Sequence, residues 1–162
     1  MGDHLNCFSK IGSQPETTPE NLGEALQRVV GYIGRRSSEH VTITLRLPER
    51  PITVRMCSPL FEWVIENLCK NAIDAMNGEG RITIHVAQTT EQAYIDIEDT
   101  GKGIHKSHFK TVFSPGFTTK RRGWGLGLSL AKRIIESYHK GRIYIKHSEI
   151  GKGTTFRIEL KK

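Results

Sequence analysis

SPLFEWVIENLCKNAIDAM, residues 58–76, carries the clearest structural pattern in the chain. Ser58 followed by Pro59 is typical of a helix start, because serine caps the helix and proline has no N–H to leave unpaired. A helical repeat then places the large apolar residues on one side. These residues are Leu60, Phe61, Val64, Ile65, Leu68, Ala72 and Met76. The stretch therefore predicts a long helix from Ser58 to about Met76, with one face in a core.

Strand patterns lie on both sides of this helix. Alternating apolar residues predict strands at 41–48, 52–56, 81–88, 93–99, 142–148 and 154–162. Further helices are predicted at 19–36, opening at Pro19, and at 127–140, while 105–124 is mostly irregular. Several strands connect directly as hairpins, which disfavours an uninterrupted parallel sheet. We predict a two-layer α/β sandwich of the α+β kind, with a mixed, mostly antiparallel sheet covered on one face by about three helices.

Length and composition bound the function. The 162 residues suit one domain, with a polar linker at 1–18 and the domain at 19–162. No apolar run approaches the ~20 residues that cross a bilayer, and no signal peptide is evident, so we expect a cytoplasmic domain, which a membrane-anchored parent protein could carry. The net charge of +7 indicates either a generally basic surface or an anionic partner. The densest positive group, Lys120 to Arg122, adjoins glycines, which favours a phosphate ligand over duplex nucleic acid.

A row of polar residues borders the apolar face of the 58–76 helix. Asn67, Asn71 and Asp74 are spaced i, i+4, i+7 and lie within about 60° of one another. Asparagine is a poor helix former, so its repetition there calls for a reason. One reason is a polar edge that bonds neighbouring loops. The other is a row of oxygens that could hold Mg²⁺ beside substrate phosphates.

The motif DTGKGI, residues 99–104, follows a predicted strand directly. Asp99 at a strand end can accept a hydrogen bond from a ligand amine. Gly101 and Gly103 would let the backbone close around that ligand. A plain turn is the alternative, because aspartate and glycine are common turn residues.

The segment FSPGFTTK, residues 113–120, combines a turn with polar side chains. Phe113 and Phe117 bracket a Pro-Gly pair. Thr118, Thr119 and Lys120 supply two hydroxyls and an ammonium group. We predict a mobile lid over phosphates here rather than a plain linker.

Three alternate glycines follow the lid segment. Gly123, Gly125 and Gly127 open a helix whose N-terminal N–H groups and dipole favour an anion. The spacing does not fit the dinucleotide fingerprint, since Leu128 stands where a glycine would be required, and there is no GxxxxGK[ST] phosphate loop. A fourth stretch, GKGTTF at 151–156, would by itself indicate only a hairpin turn.

Taken in order, these motifs resemble the ATP-binding domain of sensor histidine kinases, in the superfamily shared with type II topoisomerases and mismatch-repair ATPases. ENLCKNAIDA is similar to the N box, DTGKGI to the G1 box, VFSPGFTTK to the F box and ATP lid, and GWGLGL to the G2 box. GKGTTF is similar to the final glycine-threonine segment. The resemblance covers residues 20–162 and implies a Bergerat fold that binds ATP and Mg²⁺ between helices and lid.

The resemblance also implies individual roles. Asn71 would bind Mg²⁺, Asn67 would lie beside the phosphates, and Lys120 would contact them, so these three are the catalytic assignments. Asp99 would bond the adenine amino group, with Thr155 behind the adenine near Asp99. The implied nucleotide-binding residues are Asn67, Asn71, Asp74, Asp99, Gly101, Gly103, Ile104, Phe113, Thr118, Thr119, Lys120, Gly123, Gly125, Leu126, Gly127, Leu128 and Thr155.

The histidines restrict what such a domain would do. None of the seven lies in the phosphoacceptor motif of histidine kinases. The resemblance therefore implies a catalytic domain that supplies the γ-phosphoryl group to a histidine on a dimerisation domain absent from this chain. FSKIGSQPE is similar to the end of that domain. The expected partners are ATP, the phosphoacceptor domain of the parent and a response regulator, without nucleic acid or membrane contact and without phosphorylation of this fragment itself.

Two departures from the superfamily pattern matter. Asn67 stands where the topoisomerase-like ATPases carry a glutamate general base, which favours phosphotransfer over hydrolysis, and Glu66 is assigned to a solvent-facing stripe. Trp124 replaces a small residue in the glycine lid. A stand-alone ATPase or an anti-sigma-factor-type serine kinase of the same superfamily is the alternative function, followed by a basic nucleic-acid-binding module.

Overall fold

The fold is built from seven strands and three helices within the residues that the structure describes. The computed structural model describes residues 16–37, 39–116 and 127–162. The elements in chain order are β1 (Thr18–Asn21), α1 (Leu22–Arg36), β2 (Val41–Arg46), β3 (Thr53–Met56), α2 (Ser58–Ala75), β4 (Gly80–Gln88), β5 (Gln92–Asp99), α3 (Gly127–Arg133), β6 (Arg142–Glu149) and β7 (Gly153–Lys161). Short 3₁₀ turns occupy Lys106–His108 and Thr111–Phe113, and α3 continues as a π-helix over Ile134–Tyr138.

Five strands form the main sheet in the order β2-β4-β5-β7-β6. β2 is parallel to β4, and the other three neighbouring pairs are antiparallel. The mixed, mostly antiparallel sheet predicted from the hairpin spacing is therefore confirmed. A second, two-stranded antiparallel sheet of β1 and β3 was not predicted.

The core lies between the sheet and the three helices. Alternate residues of β4 and β5 are buried, as expected where one face of a sheet is covered, and β7 alternates in the same way after four consecutive buried residues at 153–156. The apolar face predicted for the 58–76 helix is buried at all seven positions. The one-sided covering by helices is thus confirmed, and the open sheet face carries the polar residues. None of the helices in the described ranges is long and apolar enough to cross a membrane.

The prediction that the first helix begins at Pro19 was wrong. Pro19 lies in β1, where it pairs with Arg55 of β3. The helix begins at Leu22, because the side chain of Asn21 accepts a hydrogen bond from the Glu24 N–H at 2.9 Å and caps it. Proline is tolerated there because both strands of a two-stranded sheet are edge strands, where a missing N–H need not interrupt a ladder of hydrogen bonds.

The N-cap of α2 is Cys57 and not Ser58, which is the first helical residue. The Cys57 N–H donates to Nε2 of the buried His139 at 3.0 Å, and the Nδ1 of His139 lies 2.9 Å from the Ile134 carbonyl oxygen. Because Nε2 accepts, Nδ1 carries the proton and donates to Ile134. Burial lowers the pKa of His139, so the neutral ring joins the π-helical end of α3 to the start of α2.

Candidate functional site

The site centres on Asp99, the last residue of β5. Asp99 is 6% exposed, and its Oδ1 accepts hydrogen bonds from the backbone N–H of Gly101 at 2.8 Å and of Thr154 at 3.3 Å. Burial raises the pKa of this carboxyl, the two backbone hydrogen bonds partly offset that rise, and the charge of Glu98 adds to it. No hydrogen bond reaches Oδ2 within the described part of the chain. Oδ2 is therefore left as an acceptor for a ligand.

The glycine loop after Asp99 is wedged between two other segments. A Cβ on Gly101 would lie 2.8 Å from the backbone of Ala75 at the end of α2, and a Cβ on Gly103 would overlap the carbonyl of Glu149. Gly103 also has a φ of +82°, which favours glycine. Only glycine at these two positions lets the loop approach both α2 and the β6–β7 turn so closely.

Thr154, rather than Thr155, makes the contact with Asp99. Thr155 is buried and pairs in register with Glu98, the neighbour of Asp99 on β5. Thr154 thus comes opposite Asp99, and its N–H bonds the carboxylate. The sequence interpretation did not single out Thr154. The strand register would have identified it, since cross-strand partners follow once one antiparallel pair is known.

The second half of the site lies where α2 meets the start of α3. Asn67 and Asn71 are half-buried on α2, and Asp74 is exposed one turn further on. A Cβ on Gly127, the first residue of α3, would overlap the carboxamide oxygen of Asn67 and lie 3.1 Å from its Cγ. The structure therefore brings Asn67 and Gly127, which were predicted from separate motifs, into direct contact.

The neighbouring polar stripe of α2, formed by Glu62, Glu66 and Lys70, is occupied by ion pairs. The Glu66 carboxylate pairs with Lys70 at 3.1 Å, as its place in that stripe predicts, but the Glu66 side chain is only 16% exposed and is therefore half-buried rather than solvent-facing. Glu62 pairs with Arg28 of α1 at 3.2 Å instead of with its own helix.

Three of the predicted contact residues contribute apolar surface. Phe113 is buried and packs edge-on against Phe156, with ring centroids 6.0 Å apart, and Lys132 Nζ lies 5.6 Å from the Phe113 ring centroid. Ile104 and Leu128 are half-buried against the core. Phe113 is thus a core residue, and any contact with a ligand is made from that position.

The remaining lid assignments fall outside the described residues. They are Thr118, Thr119, Lys120, Gly123, Gly125 and Leu126, together with Trp124. Across 16–37, 39–116 and 127–162, no group of three or more His, Cys, Asp or Glu side chains could hold a metal ion.

Comparison with known proteins agrees with this geometry. The family model described as "Histidine kinase-, DNA gyrase B-, and HSP90-like ATPase" matches residues 58–162. The sensor protein TdiS of Thauera aromatica is 35% identical over 153 residues, which are 90% of this chain and 28% of that protein. Sporulation kinase D of Bacillus subtilis (strain 168) is 36% identical over 142 residues, 84% of this chain and 28% of that protein.

A solved structure matches over almost its full length. The nucleotide-free catalytic domain of histidine kinase ThkA superposes with a TM-score of 0.82 at 28% identity, covering 91% of this chain and 96% of that one. The chain spans little more than a quarter of the two curated relatives, because each match covers 28% of the relative. From the family match and the folded site together, the chain belongs to the family of histidine kinase-, DNA gyrase B- and HSP90-like ATPases.

Proposed function

We propose that this chain is the ATP-binding catalytic domain of a sensor histidine kinase, which binds ATP with Mg²⁺ and supplies the γ-phosphoryl group to a histidine on another domain. The observation that carries the proposal is the Asp99 carboxylate. Both of its backbone donors bond Oδ1, so Oδ2 is available to accept a hydrogen bond from the exocyclic amine of adenine. In so buried a position this acceptor would discriminate strongly against a base without that amine.

The phosphates would lie at the junction of α2 and α3. The N-terminus of a helix favours an anion through its unpaired N–H groups, and α3 begins at Gly127 against Asn67. Asn67 and Asn71 would hold Mg²⁺ and the phosphates, with Lys120 of the lid as a further contact. The metal would supply charge neutralisation for phosphoryl transfer, in which catalysis is mainly positioning and electrostatic stabilisation.

The acceptor and the later partner are inferred from the relatives. Asn67 provides no general base for water, so transfer to a protein acceptor fits this site better than hydrolysis does. We propose the phosphoacceptor domain of the parent protein as the acceptor and a response regulator as the next partner. ThkA itself has been solved in complex with the response regulator protein TrrA.

Calorimetry and phosphotransfer test the proposal together. Titration with a non-hydrolysable ATP analogue and Mg²⁺ is expected to give one site per chain, with weaker binding when Mg²⁺ is chelated. With labelled ATP and the added dimerisation domain of the parent, acid-labile and base-stable label should form on that domain and not on this chain. Absence of nucleotide binding, or label on this chain, would contradict the proposal.

A pair of glycine substitutions tests the phosphate end. Gly127→Ala adds a methyl group against the Asn67 carboxamide, so ATP affinity should fall about tenfold, as expected for about 1.4 kcal/mol. Gly34→Ala in α1 is the matched control, because a Cβ there meets nothing within 4 Å. The control should leave ATP affinity unchanged and raise the free energy of unfolding by about 0.5–1 kcal/mol. Equal ATP affinity in both variants would contradict the assignment of Gly127 to the phosphate end of the site.

A further inference from the structure

We propose that Ser148, on β6, is a positioning residue that sets the preference of the site for adenine. The inference rests on the proposed ATP binding. Ser148 lies outside all of the sequence motifs from which ATP binding was predicted. Ser148 Oγ accepts a hydrogen bond from the Ile104 N–H at 2.7 Å, at the end of the glycine loop. The same oxygen lies 2.8 Å from Thr154 Oγ1 and 3.2 Å from the Gly153 carbonyl oxygen.

The hydrogen-bonding capacity of one hydroxyl determines how these contacts are shared. A serine hydroxyl donates one hydrogen bond and accepts up to two. The Gly153 carbonyl can only accept, and the Ile104 N–H can only donate. All three contacts are satisfied together if Ser148 donates to Gly153 while accepting from Ile104 and from the Thr154 hydroxyl. The hydroxyl of Ser148 is then fully used by its contacts with Ile104, Gly153 and Thr154, and these four residues form one hydrogen-bonded junction.

This junction controls the surroundings of Asp99 from both sides. Thr154 donates its backbone N–H to Asp99 Oδ1, and the Cβ position of Gly153 would overlap the Asp99 carbonyl. Ile104 ends the loop that begins with the second Oδ1 donor, Gly101. One hydroxyl therefore joins the strand and the loop that together orient the carboxylate.

Loss of the Ser148 hydroxyl should disturb this orientation without opening the fold. The loop retains an independent attachment, since the Gly151 N–H donates to the Lys102 carbonyl at 2.8 Å and the Lys102 N–H donates to the Ala75 carbonyl at 3.0 Å. The consequence should thus appear in recognition of the amine, which depends on where Asp99 Oδ2 lies. Inosine triphosphate has an oxygen in place of that amine and provides the comparison.

The experiment compares Ser148→Thr with Ser148→Val in the whole chain. The two replacements are nearly isosteric and differ in carrying a hydroxyl or a methyl group. Thr44→Val is the control, on an exposed position of the edge strand β2. Dissociation constants for ATP and for inosine triphosphate, both with Mg²⁺, and the melting temperature are measured for each protein.

Ser148→Val should weaken ATP binding about tenfold and leave inosine triphosphate binding within twofold, because only the amine contact is lost. Ser148→Thr should restore the wild-type ratio of the two constants, and Thr44→Val should not change it. An unchanged ratio of the two dissociation constants in Ser148→Val, whether neither nucleotide binds more weakly or both do so equally, would overturn the role of Ser148. ATP binding by the wild type would still stand. Absence of ATP binding by the wild type would instead overturn the proposed function.

Discussion

Asp96 and Asp99 are three residues apart on β5, yet their carboxylates lie in opposite electrostatic environments. Asp96 is on the open face of the sheet, where Arg157 Nε and Nη2 donate to it at 2.7 and 2.9 Å and Lys146 Nζ at 3.2 Å. Burial acts to raise the pKa of Asp96, but these two cations outweigh it and the net pKa is lowered. Among the described residues Asp99 accepts hydrogen bonds from only two backbone donors, and burial raises its pKa. The carboxylate on the open face is neutralised by neighbouring cations, whereas the carboxylate at the end of the strand keeps Oδ2 as an acceptor for a ligand.

The cations follow the same division. Residues 100–135 contain eight Lys or Arg and no Asp or Glu, so this segment carries +8, and the rest of the chain, at +7 overall, sums to −1. On the sheet face, by contrast, Arg142 pairs with Glu159 and Lys146 with Asp96. Lys106 and Lys110 are exposed, and no salt bridge joins them to a carboxylate among the described residues. The excess positive charge thus falls within the segment of sequence that follows Asp99 and runs to Ile135, and a net positive charge there would attract an anion.

Asp99→Asn should have the largest effect on binding. The amide oxygen would keep the two backbone donors, so the NH₂ group would replace Oδ2 and face the adenine amine as a second donor. ATP affinity should fall about a hundredfold, as expected for about 2.7 kcal/mol. The free energy of unfolding should not fall, because a buried charge is removed. Calorimetry and thermal unfolding check both results, and retained ATP affinity would contradict the adenine assignment.

Asp96→Ala should have the reverse pattern. It leaves Arg157, whose side chain is 24% exposed, without its bidentate partner, which should lower the free energy of unfolding by about 2 kcal/mol. ATP affinity should stay within twofold, since Asp96 faces away from the site. Glu98→Ala is the control on the same face of β5, and its unfolding free energy should change by less than about 0.5 kcal/mol. If both variants lost the same free energy of unfolding, the ion pair of Asp96 with Arg157 would not contribute to stability beyond what an exposed carboxylate on that strand does.

The two aspartates should also respond to pH with opposite signs. The Asp96 pKa is lowered below its unfolded value of about 3.9, so its stabilisation is present above that value and lost as the pH falls through the folded pKa. The Asp99 pKa is raised, so its contribution is present below about pH 4 and lost as the pH rises through the folded pKa. Urea unfolding between pH 3 and 7 should therefore give two opposite trends as the pH falls. The free energy of unfolding of the wild type should lose its excess over that of Asp96→Asn, and it should increase relative to that of Asp99→Asn. The same sign for both variants would contradict this assignment.

Reversing a single exposed charge should have the smallest effect. Lys106→Glu, two residues beyond Ile104, should weaken ATP binding about twofold at 0.15 M salt, where the Debye length is about 8 Å, and more at lower salt. Lys161→Glu makes the same charge change at the far end of β7, about 26 Å from Gly153 along the strand. If both reversals weakened ATP binding equally, ATP affinity would depend on the net charge of the chain and not on the position of the charge relative to the site.

Local patterns predicted most of the elements, and they failed where a long-range contact intervened. The apolar face of α2 was predicted at every position because it depends on helical periodicity alone. The start of α1 was missed because Pro19 is held in a strand by β3, whose residues lie more than thirty positions away. Ser58 was assigned as N-cap, but Cys57 takes that position, and its N–H donates to His139 of a distant segment.

The amino-acid sequence by itself determined which groups are candidates for the site. Spacing and residue type identified Asn67, Asn71, Asp99 and the glycines, because helix periodicity, strand ends and turn chemistry are local properties. Only the tertiary structure decided which of these groups touch and which oxygen of Asp99 stays available. The contacts of Gly127 with Asn67, of Thr154 with Asp99 and of Ser148 with Ile104 join segments that are far apart in the chain. Such contacts depend on strand register and helix docking, which the whole core sets at once.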